Sequence, residues 1–334
     1  MPIDQIKSSL EKIKQVNGVE NAVLTQRDGN PIQSSGVWLS KDEVFNISSA
    51  TSAIYNLGLH LHPEELKYIL LEGKSSKIFL APLKNSMADP IDRIMMRQGI
   101  ENNNEEFFIA ITTTPKVNLG GIFLQTRESL REIKRTLVLT GESFKPPLRR
   151  YNEDQINCLL NSFDTKESTK QIHIVNMSSF SFSDSTLKKI DLSYQKLSSS
   201  VIDMLRTSLT VSGGFLVSTC LKEGNFSELD FEHEAAMSYS LYSTANRCAW
   251  LLKKMKVESI LLECQHYYQF ITPLGDGVFT LTVQKGRQKL GLLRLILPRF
   301  LTVLTNVVKE AQIIENPIKS FQLKDVIGEI MLNR

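Results

Sequence analysis

Apolar residues recur every three or four positions at Ile3, Ile6, Leu10, Ile13 and Val16, with Lys7, Glu11, Lys12 and Lys14 between them, which predicts an amphipathic helix. The rhythm then changes. Residues of β type from Val19 to Thr25 run into Asp28-Gly29, a pair that tolerates the positive φ angles of a tight hairpin turn, and a second short strand follows from Pro31. From Asp42 to Leu59 a long stripe of Val44, Phe45, Ile47, Ala50, Ala53, Ile54 and Leu57 predicts another helix. It is rich in small residues, Ser48, Ser49, Thr51 and Ser52, which let a second helix approach closely. Leu66–Leu71, the turn Glu72-Gly73-Lys74-Ser75 and Lys77–Leu83 predict a second hairpin, and Phe107–Thr113 a fifth strand. Leu119–Val138 closes the unit, with Ile122, Leu124, Leu130, Ile133 and Leu137 interleaved by Arg127, Glu128, Arg131, Glu132 and Lys134. The order is α-β-β-α-β-β-β-α around an antiparallel-rich, five-stranded sheet.

The same order is expected again from about Leu192 to Glu310. Leu197, Val201, Ile202, Leu205 and Leu209 suggest its opening helix, and Gly213–Cys220 stands where Gly18–Thr25 stood, 195 positions earlier. Gly29 and Gly224, in the turn Lys222–Asn225, are separated by the same 195 positions. At the far end Phe107–Thr112 matches Val278–Val283, and Leu119-Gly120 matches Leu290-Gly291, at a separation of 171. Phe231 to Lys254 is the expected middle helix. The fold class is thus α/β of the α+β kind, with two like units at 1–138 and 192–310. The first is longer by 24 residues, placed mainly as an insertion at 84–106, where a hairpin normally turns in a few residues.

Between the units, 139–191 reads as a linker. Pro146-Pro147 stops the closing helix, 153–163 has the pattern of a short helix, and Asn176–Thr186 is serine-rich, which suggests flexibility and modification. After Pro317 the tail, 311–334, offers Phe321, Val326, Ile327, Ile330 and Met331 at helical spacing, with few basic residues, so it is expected to dock on protein and not on an anionic membrane.

Composition narrows the function. The chain has 334 residues, 42% of them hydrophobic, enough for two cored domains. Its 39 Lys plus Arg against 36 Asp plus Glu give no electrostatic footprint for nucleic acid. Cys158, Cys220, Cys248 and Cys264 are far apart and form no Cys-x-x-Cys pair, which fits buried thiols in a reducing compartment. With no uncharged apolar run of membrane-spanning length and no signal-peptide core at the N-terminus, a cytoplasmic chain is expected. No phosphate-binding Gly-x-x-x-x-Gly-Lys-Ser/Thr and no Gly-x-Ser-x-Gly is present, so the chain is read as a non-enzyme. His60-Leu61-His62 has the spacing to hold a metal on an extended segment, but it follows a predicted helix with no Cys or carboxylate constellation nearby, so no metal and no cofactor are expected.

The residues Gly18–Leu24, Arg27-Asp28-Gly29-Asn30-Pro31-Ile32 and Asn118-Leu119-Gly120 resemble those of the Roadblock family, the dynein light-chain type related to the longin fold. The resemblance covers 1–138 well; over 192–310, where Glu223-Gly224 replaces Asp-Gly, it is weaker. It implies an adaptor that dimerises by laying its middle helices side by side and joining sheet edges, and that acts beside Ras-like small GTPases as scaffold, exchange platform or activator. In one chain, two units supply each other's partner at high effective concentration, an internal pseudo-dimer that need not associate further, although other Roadblock-type proteins and higher assembly remain open. The small and aromatic positions expected to pair the middle helices are Phe45, Ser49, Ser52 and Ala53 with Ala236, Ser240, Ser243 and Thr244. Were the chain to stimulate GTP hydrolysis, Arg93, Arg97, Arg149 and Arg150 are the loop arginines available to stabilise the transition state in trans. The alternative is a scaffold that joins other proteins without reading nucleotide state.

Overall fold

The computed structural model describes residues 2–36, 40–63, 65–83, 107–140, 178–211, 213–221, 228–286, 289–310 and 312–315. The first half runs α1 (Pro2–Lys14), β1 (Val19–Gln26), β2 (Pro31–Gly36), α2 (Lys41–Leu61), β3 (Leu66–Glu72), β4 (Lys77–Pro82), β5 (Phe107–Thr113) and α3 (Leu119–Thr140). After β6 (Ser178–Ser181), the second half repeats it as α4 (Asp184–Ser200), β7 (Met204–Val211), β8 (Phe215–Leu221), α5 (Glu228–Lys253), β9 (Ser259–Cys264), β10 (Tyr267–Leu274), β11 (Gly277–Gln284) and α6 (Leu290–Glu310), and β12 (Gln312–Glu315) returns to pair with β6.

Ten strands form one antiparallel sheet in the order β2-β1-β5-β4-β3-β9-β10-β11-β7-β8. Each half contributes five, and the second order mirrors the first. On one face α1 packs with α3, and α4 with α6, over a core of Ile6, Leu10, Phe79, Ile133, Tyr194, Phe279 and Leu304. On the other, α2 and α5 lie together over Ile54, Tyr55, Ile69, Leu80, Leu241, Ala245 and Ile260. Local chemistry sets these elements. Ser40 caps α2 and receives the Glu43 amide, while the Glu43 carboxylate receives the Ser40 amide, so two otherwise orphaned donors are satisfied. Gly29 sits at φ +93° against the Ser49 backbone, 3.3 Å from where a Cβ would be, which only glycine permits.

Three expectations for the second half change. Its opening helix begins at Asp184, capped by Ser183, inside the stretch read as linker, and ends at Ser200. Leu205 and Leu209 belong to β7, which occupies the place of β1, so Gly213-Gly214 makes the hairpin turn that Asp28-Gly29 makes in the first half. Both glycines have positive φ, at +88° and +85°. The helical misreading has a physical cause: β7 is covered on both faces, burying Met204, Thr207, Leu209, Thr210 and Val211, so the period-two alternation of a one-sided strand disappears. The serine-rich segment, read as flexible, is instead used within the fold, with Ser178–Ser181 in a strand and Ser183 as a cap. Leu119–Thr140, the two hairpins of the first half and the middle helix of each half stand close to where the pattern places them. The insertion at 84–106, the helix at 153–163, the turn at 222–225 and the tail after 315 lie outside the described residues. The strands flanking the insertion end at Pro82 and resume at Phe107, whereas Leu274 and Gly277 are separated by two residues.

The halves meet at the β3–β9 ladder, which pairs Ile69 with Leu262, Leu70 with Leu261 and Leu71 with Ile260. Around it the contacts are tight. The Glu258 amide donates to the Glu72 carbonyl at 2.8 Å, and the Glu72 carboxylate is held by Lys77 at 3.0 Å and by Arg294 of α6 at 3.0 Å. A Cβ on Gly73 would stand 2.4 Å from Met255 Cγ and 2.6 Å from the Lys256 carbonyl oxygen.

A buried polar chain also crosses the junction. His62, at the end of α2, is 3% exposed; its Nε2 lies 2.6 Å from Gln269 Oε1, and its Nδ1 2.9 Å from the Tyr267 hydroxyl. Gln269 donates its amide N–H to Glu234 at 2.7 Å, and Glu234 pairs with Arg206 at 2.6 Å. With the Gln269 amide nitrogen committed to Glu234, its carbonyl oxygen accepts from His62, so the neutral imidazole carries its proton on Nε2 and accepts from Tyr267 on Nδ1. Burial, reinforced by the positive charge of Arg206, lowers the His62 pKa to about 4 against the pull of Gln269 and Glu65.

Gly73→Ala is expected to destabilise the fold by about 1–3 kcal/mol, because the Lys256 backbone must move, and chemical denaturation measures it. For His62 the unfolded imidazole takes a proton before the folded one does, so its contribution is complete above about pH 6.5 and is lost as pH falls toward 4, by roughly 3 kcal/mol at most. His62→Gln should flatten that part of the stability–pH curve relative to the parent; parallel curves would refute the assignment.

Candidate protein-interaction surface

The paired middle helices form the largest feature exposed on one face of the sheet. Their shared cluster joins Ile47, Ile54 and Tyr55 to Leu241, Ala245, Cys248 and Ala249, with Ala50, Leu57, Leu61, Tyr239, Tyr242 and Leu252 at its margin. The seam is therefore aliphatic and aromatic more than small. Three of the residues expected to pair the helices, Ser49, Ser52 and Ala236, lie against the outer hairpins. Ser52 donates its hydroxyl to the Arg27 carbonyl, Gly29 lies against Ser49, and in the second half Gly214 lies 3.3 Å, by its missing Cβ, from the Ala236 Cβ. Small side chains on these helices make room for the glycine turns of the two outer hairpins. Ser49, Ala53 and Ser240 are exposed, whereas Phe45, Ser243 and Thr244 are half-buried. Arg27 completes the first hairpin's attachment, donating from Nε to the Asn56 side-chain carbonyl at 2.7 Å.

The C-terminal end of α5 presents two large apolar residues, Trp250 and Leu251, 56% and 70% exposed. Lys254 lies 5.7 Å from the Trp250 ring centre, and Lys253 of the same end pairs with Glu20 of β1, tying α5 to the first half. A solvent-facing aromatic beside cationic side chains on a rigid helix pair suits a protein partner.

Chemistry within the described residues is sparse. No group of three or more His, Cys, Asp or Glu is placed to hold a metal. His60 points to solvent and His62 is spent in the buried chain, so the His60-Leu61-His62 pair does not converge. Burial pushes the Cys264 thiol up to about 12 and raises that of Cys248, leaving neither as a ready thiolate. Burial likewise lifts the Glu234 carboxyl above the ordinary range, with Arg206 and Gln269 pulling the other way. An open, polar cleft of about 640 Å³ lies between α1 and β2, lined by Lys7, Glu11, Lys14 and Ser34 among others. Arg93, Arg97, Arg149 and Arg150 lie outside the described residues.

One helix among the described residues, Leu290–Lys309, is long and apolar enough to cross a membrane, with mean hydropathy 1.5 and 28% of it buried. It is anchored to the sheet by Leu293, Leu297, Leu304, Val307 and Val308 and by the Arg294–Glu72 pair.

The His62–Gln269–Glu234–Arg206 chain was missed in the sequence because its members come from α2, β10, α5 and β7. The one available signal was polar residues such as Gln269 inside otherwise apolar strand runs.

Comparison with known proteins gives a match to the family model of the Roadblock/LC7 domain at residues 6–88. No curated protein matches the chain. Among solved structures it is similar to a Roadblock/LC7 domain from Streptomyces avermitilis, with 14% identity over 40% of this chain and 97% of that one, at a TM-score of 0.31. It is also similar to MglB of Myxococcus xanthus, with 12% identity over 43% of this chain and 95% of that one, at 0.33. MglC of the same organism shares 13% identity over 40% and 99%, at 0.28. The likeness to the Roadblock/LC7 family model thus falls in the first half of the chain, over residues 6–88.

Proposed function

We propose that the chain is a non-enzymatic adaptor in which two Roadblock units form an internal pair that binds a Ras-like small GTPase in the cytoplasm. The observation that carries this reading is the side-by-side packing of α2 and α5 over one continuous sheet, because it builds a two-unit platform within a single chain. The family match over 6–88 supports the first unit, and the repeated element order supports treating 184–310 as the second. Unpaired thiols at Cys220, Cys248 and Cys264 suit a reducing compartment. The partner surface is assigned to the outward side of the helix pair, where Trp250 and Leu251 stand exposed.

A scaffold that ignores nucleotide is the second reading, favoured by β8. This outer strand, Phe215–Leu221, carries no charged residue or proline to discourage pairing with another strand.

Because the halves close each other, light scattering should give a mass near 37.8 kDa that does not change on dilution. Capture with Ras-like GTPases loaded with GDP or a GTP analogue should show preference for one state, and Trp250→Ala with Leu251→Asp should weaken it by about tenfold or more. Binding that is blind to nucleotide selects the scaffold, and binding to neither form removes the GTPase reading. If single-turnover hydrolysis is accelerated, alanine at Arg93, Arg97, Arg149 or Arg150 tests for an arginine supplied in trans.

A further inference from the structure

The outward face of α6 is apolar where its counterpart is charged. Leu292, Leu295 and Val303 are 49%, 73% and 48% exposed, with half-buried Ile296 and Phe300 beside them, although the inward face is already fastened to the core. From Leu290 to Lys309 the helix has no acidic residue and three basic ones, Arg294, Arg299 and Lys309. On α3, which holds the equivalent place in the first half, the exposed side is a single Leu124 followed by Arg127, Glu128, Arg131, Glu132 and Arg135. The two helices do the same task inward and different ones outward. α4, packed beside α6, continues the pattern: Leu192 is 55% exposed, and exposed Lys188 and Lys196 stand one turn before and one turn after it.

We propose that this side of the second half, α6 with α4, docks on an anionic phospholipid bilayer, with α6 lying in the plane of the headgroups. Three observations choose lipid over a protein partner. A surface helix of a water-bathed domain turns a polar face outward, yet α6 has a mean hydropathy of 1.5 with 28% of it buried, so its surplus apolar surface meets solvent. Arg299 is exposed within the stripe, four residues after Leu295 and four before Val303. An apolar protein groove would have to desolvate that guanidinium, whereas at a bilayer its stem stays among acyl chains and its head reaches the lipid phosphates. Lys188, Lys196, Lys289, Arg299 and Lys309 are exposed on α4, on α6 and at its start, against Asp184 and Asp191, and an anionic surface attracts such a rim. α6 lies on the bilayer and does not cross it, because its inward face is held in the core and Arg294 pairs with Glu72 at 3.0 Å. The orientation matters for the other face. α4 and α6 lie across the sheet from α2 and α5, so docking leaves Trp250 and Leu251 turned away from lipid and open to a partner.

The test is flotation of the full-length chain with vesicles of phosphatidylcholine alone, or of phosphatidylcholine and phosphatidylserine in equal parts. The chain should float with the mixed vesicles and about tenfold less with the neutral ones, and added salt should release it. Leu295→Asp should lower partitioning onto the mixed vesicles about tenfold, and Arg299→Glu by a smaller factor. Leu124→Asp, the same change on α3, should leave partitioning unaltered. So should Trp250→Ala with Leu251→Asp, which separates this surface from the one assigned to the GTPase. All of these positions are exposed, and circular dichroism checks that each variant is folded. Absence of the chain from both vesicle fractions, equal flotation with neutral vesicles, or an equal loss with Leu124→Asp would overturn the proposal. A mass near twice 37.8 kDa that Leu295→Asp halves would also overturn it, by assigning the stripe to a second copy.

Discussion

The structure depends on one pairing, β3 with β9. A five-stranded unit of this topology leaves β3 as an open edge, with a row of unsatisfied backbone groups and an apolar strand sequence, Leu66-Lys67-Tyr68-Ile69-Leu70-Leu71-Glu72. Satisfying it with β9 fixes the rest: the strand orders mirror each other, α2 is brought beside α5, and Arg294 reaches Glu72 across the join. Gly73 shows how close that approach is, since not even a methyl group fits between the β3–β4 turn and Lys256.

The halves are alike in topology but not in their interiors. Strand register sets Thr112 opposite Asn21 and Thr282 opposite Arg206, so the fifth strands correspond one residue off the spacing read from the sequence; Asn21 donates to Thr112 at 2.9 Å, and at the matching place Arg206 reaches Thr282 and Glu234. Ile78 pairs with Thr112 where Gln269 pairs with Thr282. The second half has thus exchanged apolar packing for a hydrogen-bonded chain that ends on His62 of the first. Such a chain adds little net stability over hydrophobic residues of similar volume, yet losing one member strands the others in a low-dielectric interior. Its effect is therefore to specify which arrangement of the two halves is accepted.

The sequence was legible where one face of an element is wet. α1, α3 and the hairpin at Asp28-Gly29 carry clear periods and turn chemistry, and the element order of both halves follows from them. It was misleading where both faces are covered: β7 has apolar and β-branched residues on each side, and Leu205 and Leu209 mimic a helical step. The pairing of α2 with α5 was foreseen but not its atoms, because small residues at Ser49, Ser52 and Ala236 signal a close approach without naming what approaches. There it is a glycine turn. The His62 chain was invisible because Arg206 and Gln269 are far from His62 in the chain and polar residues within a strand do not announce a partner.

The distance between β3 and β9 along the chain has a consequence during synthesis. The first half has all its own elements once Thr140 is made, but the strand that covers its open edge ends at Cys264, about 120 residues later. At about 5–20 residues per second the wait is roughly six to twenty-five seconds, far longer than the time a hairpin needs to form. Throughout it, a finished unit is exposed on the ribosome with a sticky strand, and a neighbouring nascent copy offers the same edge. Dense polysomes would then favour exchange of halves between chains, and slow dilution of nascent chains by chaperones would favour closure within one.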